Sequence, residues 1–143
     1  MTRINMNYLH PKFTTGFSDA ESCFYIQLIK DNTYKTGYQV QASFIIGLNK
    51  KDTMLLERIQ SFFGTGKIYT HKDKILYKIT SMKNLSIIIT HFEEYSLQTQ
   101  KYADFLLFKS IIEIVNRKEH LTNEGLQKQK SKLESIFKSR FIT

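Results

Sequence analysis

Two long runs of strict alternation constrain this 143-residue chain most. In Cys23 to Lys30, Phe24, Ile26 and Leu28 alternate with Cys23, Tyr25, Gln27 and Ile29. In Tyr38 to Leu48, Val40, Ala42, Phe44, Ile46 and Leu48 alternate with Gln39, Gln41, Ser43, Ile45 and Gly47. A period of two is the mark of a strand with one buried face. The connection, Asp31 to Gly37, is polar and suits a hairpin loop. A shorter hairpin is expected from Lys67 to Lys72 and Ile75 to Ser81, with Asp73 near its turn. Elsewhere the spacing is helical. Pro11 opens a short helix to about Asp19, Lys51 to Phe63 ends at Gly64-Thr65-Gly66, and Ser81 can cap Met82 to Glu94. A long helix is expected from Thr99 to Arg117, and a last, lysine-rich one after Thr122. Strand pairs between helices predict an α+β domain, one over residues 1–143, with a largely antiparallel sheet and helices on one face.

Composition narrows the function. Residues are 41% hydrophobic, with 11 Phe and 8 Tyr, enough for a core, so disorder is not expected. No apolar run is long enough for a membrane span, and no membrane partner is expected. The single cysteine, Cys23, gives neither a disulfide framework nor a cysteine-based zinc site. The net charge of +8 points to a polyanionic partner. Lysine far outnumbers arginine, and Ile, Asn, Phe and Tyr are common. These residues have AT-rich codons, as in many organellar genomes.

The outward side chains of the strands suit that partner. They include Tyr25, Gln27, Lys35, Gln39, Gln41, Ser43, Lys67, Tyr69, His71, Lys78 and Thr80, with acids only at the turns. Long amides and cations read base edges and phosphates, and a two-stranded ribbon fits the major groove. An ordinary solvated sheet face would also be polar.

The first helix adds a second constellation. Asp19 and Glu21 sit at its C-terminal end, where the helix dipole disfavours negative charge unless a cation is supplied. A divalent metal with hard oxygen ligands would supply it. Phe13, Gly16, Phe17 and Ala20 share one stripe, and the small pair Gly16 and Ala20 would let a partner helix approach closely. A second copy of the same helix would make an isologous contact about a two-fold axis. Packing into the chain's own core, with solvated acids, is the competing reading.

The stretch Phe13-Thr14-Thr15-Gly16-Phe17-Ser18-Asp19-Ala20-Glu21 resembles the LAGLIDADG motif of homing endonucleases, in its fungal mitochondrial variant. So do Asn49 to Asp52, Phe63-Gly64-Thr65-Gly66-Lys67-Ile68, His91-Phe92-Glu93, Leu97 to Lys101 with Asp104 and Phe108, and Asn116 to Leu121 with Glu124-Gly125-Leu126. Most such fungal chains carry two motifs, and this sequence resembles the N-terminal half of one. The resemblance implies an αββαββα domain whose curved sheet is a DNA-binding saddle, with Cys23 and Ile29 joining the outward residues above as DNA contacts.

It also implies a chemistry. Glu21 matches the acid that binds the catalytic metal, Ala20 the residue whose backbone carbonyl faces it, and Asp19 a more structural acid. Lys101 matches a lysine near the scissile phosphate. The metal implied is Mg²⁺, with Mn²⁺ or Ca²⁺ able to replace it for binding. The implied enzyme is a mitochondrial endonuclease, a homodimer through the first helix that cuts a long, near-palindromic duplex DNA. The alternative is a maturase acting on intron RNA, or a non-cleaving binder of the same fold. Three positions depart from the pattern. Thr14 replaces a usual Leu, which should alter helix packing. Ser22 replaces a usual Gly, at about 1 kcal/mol if positive φ is needed. Ile45 and Gly47 stand where related enzymes often place polar readers.

Overall fold

The structure, a computed structural model, describes residues 9–33 and 37–116. The first helix, α1 (Pro11–Glu21), runs directly into β1 (Ser22–Lys30), followed by β2 (Tyr38–Asn49). A 3₁₀ turn (Lys50–Asp52) leads into α2 (Thr53–Phe63), and β3 (Lys67–His71) and β4 (Lys74–Ile79) form the second hairpin. Two helices, α3 (Met82–Glu94) and α4 (Lys101–Asn116), complete the described chain. The expected lysine-rich helix after Thr122, and Lys35, lie outside the described residues.

The sheet has the order β1-β2-β4-β3, with every neighbouring pair antiparallel. Both hairpins form as the alternation predicts. The link between them is the pairing of β2 with β4, from Phe44↔Ile79 to Asn49↔Lys74. One face of the sheet carries Phe24, Ile26, Val40, Ala42, Phe44, Ile46, Ile75, Tyr77 and Ile79, all buried. Phe24 packs against Phe92 of α3 and Phe105 and Phe108 of α4, while Phe44 packs against Phe63 of α2 and Phe92. Aromatic pairs of this kind add about 0.5–1.5 kcal/mol each beyond the area they bury. The helices therefore cover one face of the sheet and leave the other open.

Local chemistry sets the ends of the elements. His10 caps α1, its Nδ1 accepting from the Lys12 N–H at 3.1 Å, and Pro11 takes the first helical position. Gly64 closes α2 in the left-handed conformation, φ 73°. Two residues on, Gly66 has φ 98°, and any Cβ there would meet the Tyr77 ring at 2.4 Å. The Tyr77 hydroxyl donates to the Thr65 carbonyl, and Gln60 Nε2 donates to the Gly66 carbonyl at 2.9 Å. Burial raises the Tyr77 pKa well above the usual tyrosine range, so the hydroxyl stays a donor.

Candidate nucleic-acid interface and metal site

The helix α1 has two unlike sides. Thr14, Thr15 and Ser18 are buried against the chain. The Thr15 hydroxyl donates to the Tyr95 carbonyl at 2.9 Å. Its single proton is thereby committed, so the 3.0 Å contact to His91 makes His91 Nε2 the donor. Burial lowers the His91 pKa to about 4, which keeps the ring neutral at physiological pH. Thr14, where Leu is usual, is fully buried and its hydroxyl bonds back to the His10 carbonyl at 3.3 Å. It faces this chain's interior, so the substitution changes packing inside the domain.

The other side is open. Phe13 is 47% exposed, Gly16 and Ala20 are exposed, and Phe17 is half-buried. Phe13 and Phe17 stack with centroids 6.1 Å apart. A Cβ built on Gly16 would meet nothing within 4 Å. The fold of this chain does not require glycine there.

The two acids at the end of α1 separate in role. The carboxylate of Asp19 accepts from the Gln98 N–H at 2.7 Å, the Thr99 N–H at 3.1 Å and the Thr99 hydroxyl at 2.8 Å. It thus anchors the segment leading into α4, and the positive end of that helix compensates its charge. The expectation that a cation must offset both acids is corrected for Asp19, whose charge is met within the chain. Its carboxylate is exposed and has no partner among the described residues. The sequence placed Asp19 as the end of α1; in fact α1 continues to Glu21, and α4 begins at Lys101 rather than Thr99 because Thr99 serves Asp19.

Lys101 mirrors Glu21. It opens α4, where the dipole disfavours a cation, as the end of α1 disfavours an acid. Its Nζ donates to the Ser22 carbonyl, one residue beyond Glu21. Two charges therefore converge at the α1–β1 junction, each on the wrong end of its helix. Beside them, burial pushes the Cys23 thiol pKa up, partly offset by Lys101, and the nearby Asp104 raises it further. The thiol stays protonated although the residue retains exposed surface. Ser22 has φ −89°, so no left-handed strain arises where Gly is usual, and its hydroxyl bonds to the Ser18 carbonyl at 2.7 Å.

The metal expectation can be tested against the donors present. Glu21 offers a free carboxylate, and the carbonyls in the last turn of a helix, Ala20 among them, have no intrahelical partner. All are hard oxygens, the kind Mg²⁺ and Ca²⁺ take. Among the described residues no group of three or more His, Cys, Asp or Glu could enclose an ion. The donors fit only an open site, in which other oxygens would have to complete the shell.

On the open face of the sheet, the register brings the predicted residues together. Cys23↔Ile45, Tyr25↔Ser43, Gln27↔Gln41 and Ile29↔Gln39 pair across β1 and β2. Lys78 pairs with Ile45 on one side and Lys67 on the other, and Tyr69 and His71 follow along β3. Tyr25, Gln27, Gln39, Gln41, Lys78 and Thr80 line a groove of about 400 Å³. A second, of about 430 Å³, lies between Lys67, Tyr69, Lys78 and Asn84. Lys67, Lys74 and Lys78 have no ion pair among the described residues. Ser43 is largely buried, yet it joins the lining of the first groove. Leu76, 37% exposed, shares this face, which the sequence reading missed because Ile75 and Leu76 are both apolar.

Comparison with known proteins agrees with this geometry. The LAGLIDADG endonuclease family profile matches residues 14–112. An uncharacterized 50.9 kDa protein in ND4 intron 1 of Podospora anserina is 46% identical over 82% of the chain, and a probable intron-encoded endonuclease of Neurospora crassa 43% over 83%. The chain spans 27% of the length of each. Among solved structures, the LAGLIDADG meganuclease I-CpaMI bound to uncleaved DNA is 49% identical with a TM-score of 0.80, covering 85% of this chain and 41% of that one. The homing endonuclease I-TnaI is 36% identical with a TM-score of 0.88, covering 95% and 91%. I-SmaMI bound to uncleaved DNA with calcium is 42% identical with a TM-score of 0.88, covering 94% and 47%. The fold, the motif helix and these relatives together place the chain in the LAGLIDADG endonuclease family.

Proposed function

We propose that the chain is a divalent-metal-dependent DNA endonuclease that works as a two-fold pair on a long duplex target. The observation that carries this reading is the convergence of Glu21 and Lys101 at the α1–β1 junction, beside an open, cationic sheet face. A charge on the wrong end of a helix costs about 0.3–1 kcal/mol, and such costs are expected at functional sites. Glu21 and the Ala20 carbonyl would hold Mg²⁺, or Mn²⁺ or Ca²⁺ for binding. When bound, the ion would polarise a phosphoryl oxygen and lower the pKa of water. Lys101 is held by the Ser22 carbonyl, which leaves two of its ammonium protons for a phosphate whose charge grows in the transition state. Asp19 fixes the start of α4, and hence Lys101, relative to Glu21.

The open side of α1 is proposed as the pairing surface, with Phe13, Gly16, Phe17 and Ala20 against a like helix. A second copy of this chain would give a near-palindromic target. The short span relative to the curated relatives favours a second reading of the same surface, in which a non-identical half supplies that helix. The gene is proposed to be mitochondrial and intron-borne, which the ND4 intron relative and the AT-rich residue usage support.

Selection of cleaved sequences from a random duplex library in Mg²⁺ tests the activity. Glu21→Gln should bind the selected duplex with unchanged affinity and cleave it about a thousandfold more slowly, the loss of several kcal/mol of charge stabilisation. Near wild-type cleavage by that variant would move the metal site. Lys101→Met should lower the single-turnover rate about a hundredfold, the size of a lost charge-stabilising donor, with little change in affinity. Binding of intron RNA without any DNA cleavage would favour a maturase instead.

A further inference from the structure

The open sheet face is not uniformly polar, and the exception is ordered. Gly47, Leu76 and Tyr69 form one cross-strand row over β2, β4 and β3. Leu76 is 37% exposed and Tyr69 48%. Ile45, half-buried, stands next in line along β2 on the same face. Gly47 has a specific part in this: a Cβ there would lie 3.0 Å from Leu76 Cδ2. The missing side chain lets the leucine lie flat across the neighbouring strand. Lysines flank the row on both sides, with Lys78 and Lys67 opposite Ile45 and with Lys74 opposite Asn49.

We infer that this apolar shelf of Ile45, Leu76 and Tyr69 reads the 5-methyl group of pyrimidines in the major groove. The inference rests on the proposed binding of duplex DNA and adds a chemical class of base to it. Three strands spaced about 4.8 Å apart make a row roughly 10 Å wide, which fits a groove about 12 Å wide. The shelf offers only the Tyr69 hydroxyl as a polar group, so it cannot satisfy the donors and acceptors of a G·C edge. The thymine methyl is the one apolar group a natural base presents there. The flanking lysines suit the phosphates on either side. The glutamine cluster at the far end of β1 and β2 has the opposite character: Gln27, Gln39 and Gln41 suit base edges that need hydrogen bonds. The two ends of one face would thus read different chemistry. The shelf also favours DNA over RNA, because uracil lacks the methyl and the RNA major groove is too narrow for a sheet.

The test uses a duplex selected from a random library in Ca²⁺. Each thymine is replaced singly by deoxyuridine, which removes the methyl and nothing else. Wild type should lose about fourfold in affinity at one or two positions per half-site, the size of one buried carbon group. At those positions a cytosine should bind more tightly when 5-methylated, which separates a methyl reader from an A·T reader. Leu76→Ser should erase the thymine-over-uracil preference, while Leu76→Met should keep it. Indifference of wild type to every uracil replacement overturns the inference. So does a preference that survives both Leu76→Ser and Ile45→Ser in proteins with unchanged melting temperature, or a cytosine methyl without effect. Failure to bind any duplex would instead overturn the underlying reading of the chain as a DNA binder.

Discussion

The two sides of α1 are unlike in burial and in bonding. On the inward side, Thr14, Thr15 and Asp19 are hydrogen-bonded to the chain, and even Asp19 reaches a segment almost eighty residues away. Ser18 Oγ is the exception, buried without a partner among the described residues. On the outward side, Phe13 stacks on Phe17 yet stays half exposed, Gly16 borders open space, and Glu21 has no partner among the described residues. One helix thus carries a side finished by its own domain and a side that is not. Residues that a fold uses are satisfied within it. Residues that a partner uses look, in the isolated chain, like unexplained choices.

The contrast predicts opposite outcomes for substitutions only one turn apart. Gly16→Leu should lower self-association by a hundredfold or more, because overpacking costs about 1–3 kcal/mol and a symmetric contact feels it twice. The same variant should raise the domain's own stability by about 0.5–1 kcal/mol, since the space is open and a glycine leaves the middle of a helix. Sedimentation together with a denaturant melt checks both halves. A strongly destabilised domain would mean that the open side is packed after all.

Asp19→Ala should do the reverse. It removes the acceptor for three donors and should cost about 1–2 kcal/mol of stability, read as a lower denaturation midpoint. Its effect on cleavage should exceed its effect on DNA affinity, because α4 carries Lys101.

The smallest expected effect is a pH dependence on the finished side. The folded His91 pKa is lowered to about 4, from an ordinary value near 6.5. The unfolded chain therefore takes up a proton at His91 before the folded one does. The stability that the neutral ring contributes is complete above about pH 6.5 and is lost as pH falls from there toward 4. Discounted for the ring's partial exposure, the loss is on the order of 1 kcal/mol. His91→Phe should remove this component from a thermal melt series between pH 7 and 4. An unaltered slope would assign the acid sensitivity elsewhere.

Much of this was legible in the sequence, and what was not shares a cause. The alternation fixed β1, β2 and their register of faces, and Met82 to Glu94 was delimited correctly by its stripe, although the Ser81 side chain makes no capping hydrogen bond. The stripe of Phe13, Gly16, Phe17 and Ala20 was read as either a pairing face or part of the core; Phe13, Gly16 and Ala20 are exposed, and Phe17 is half-buried against the core. By contrast, the anchoring of Asp19 to Gln98 and Thr99, and the Thr15–Tyr95–His91 set, join residues far apart in the chain. No local spacing encodes such a contact. The exposure of Leu76 escaped for a different reason. Period two assigns a face, but how deeply a residue sits on it depends on what its neighbours cover.

The bond from Asp19 to the start of α4 also bears on how such proteins change their targets. It mounts Glu21 and Lys101 on one braced unit, at the end of β1 remote from Gln27 and Gln41. The spacing of the two charges is then independent of which side chains occupy the far half of the sheet. Substitutions at the reading positions can accumulate, in nature or in the laboratory, without resetting the geometry at the junction. On the proposed function, a drifting target and a constant chemistry become compatible because one carboxylate, spent on hydrogen bonds within the chain, keeps the two parts mechanically separate.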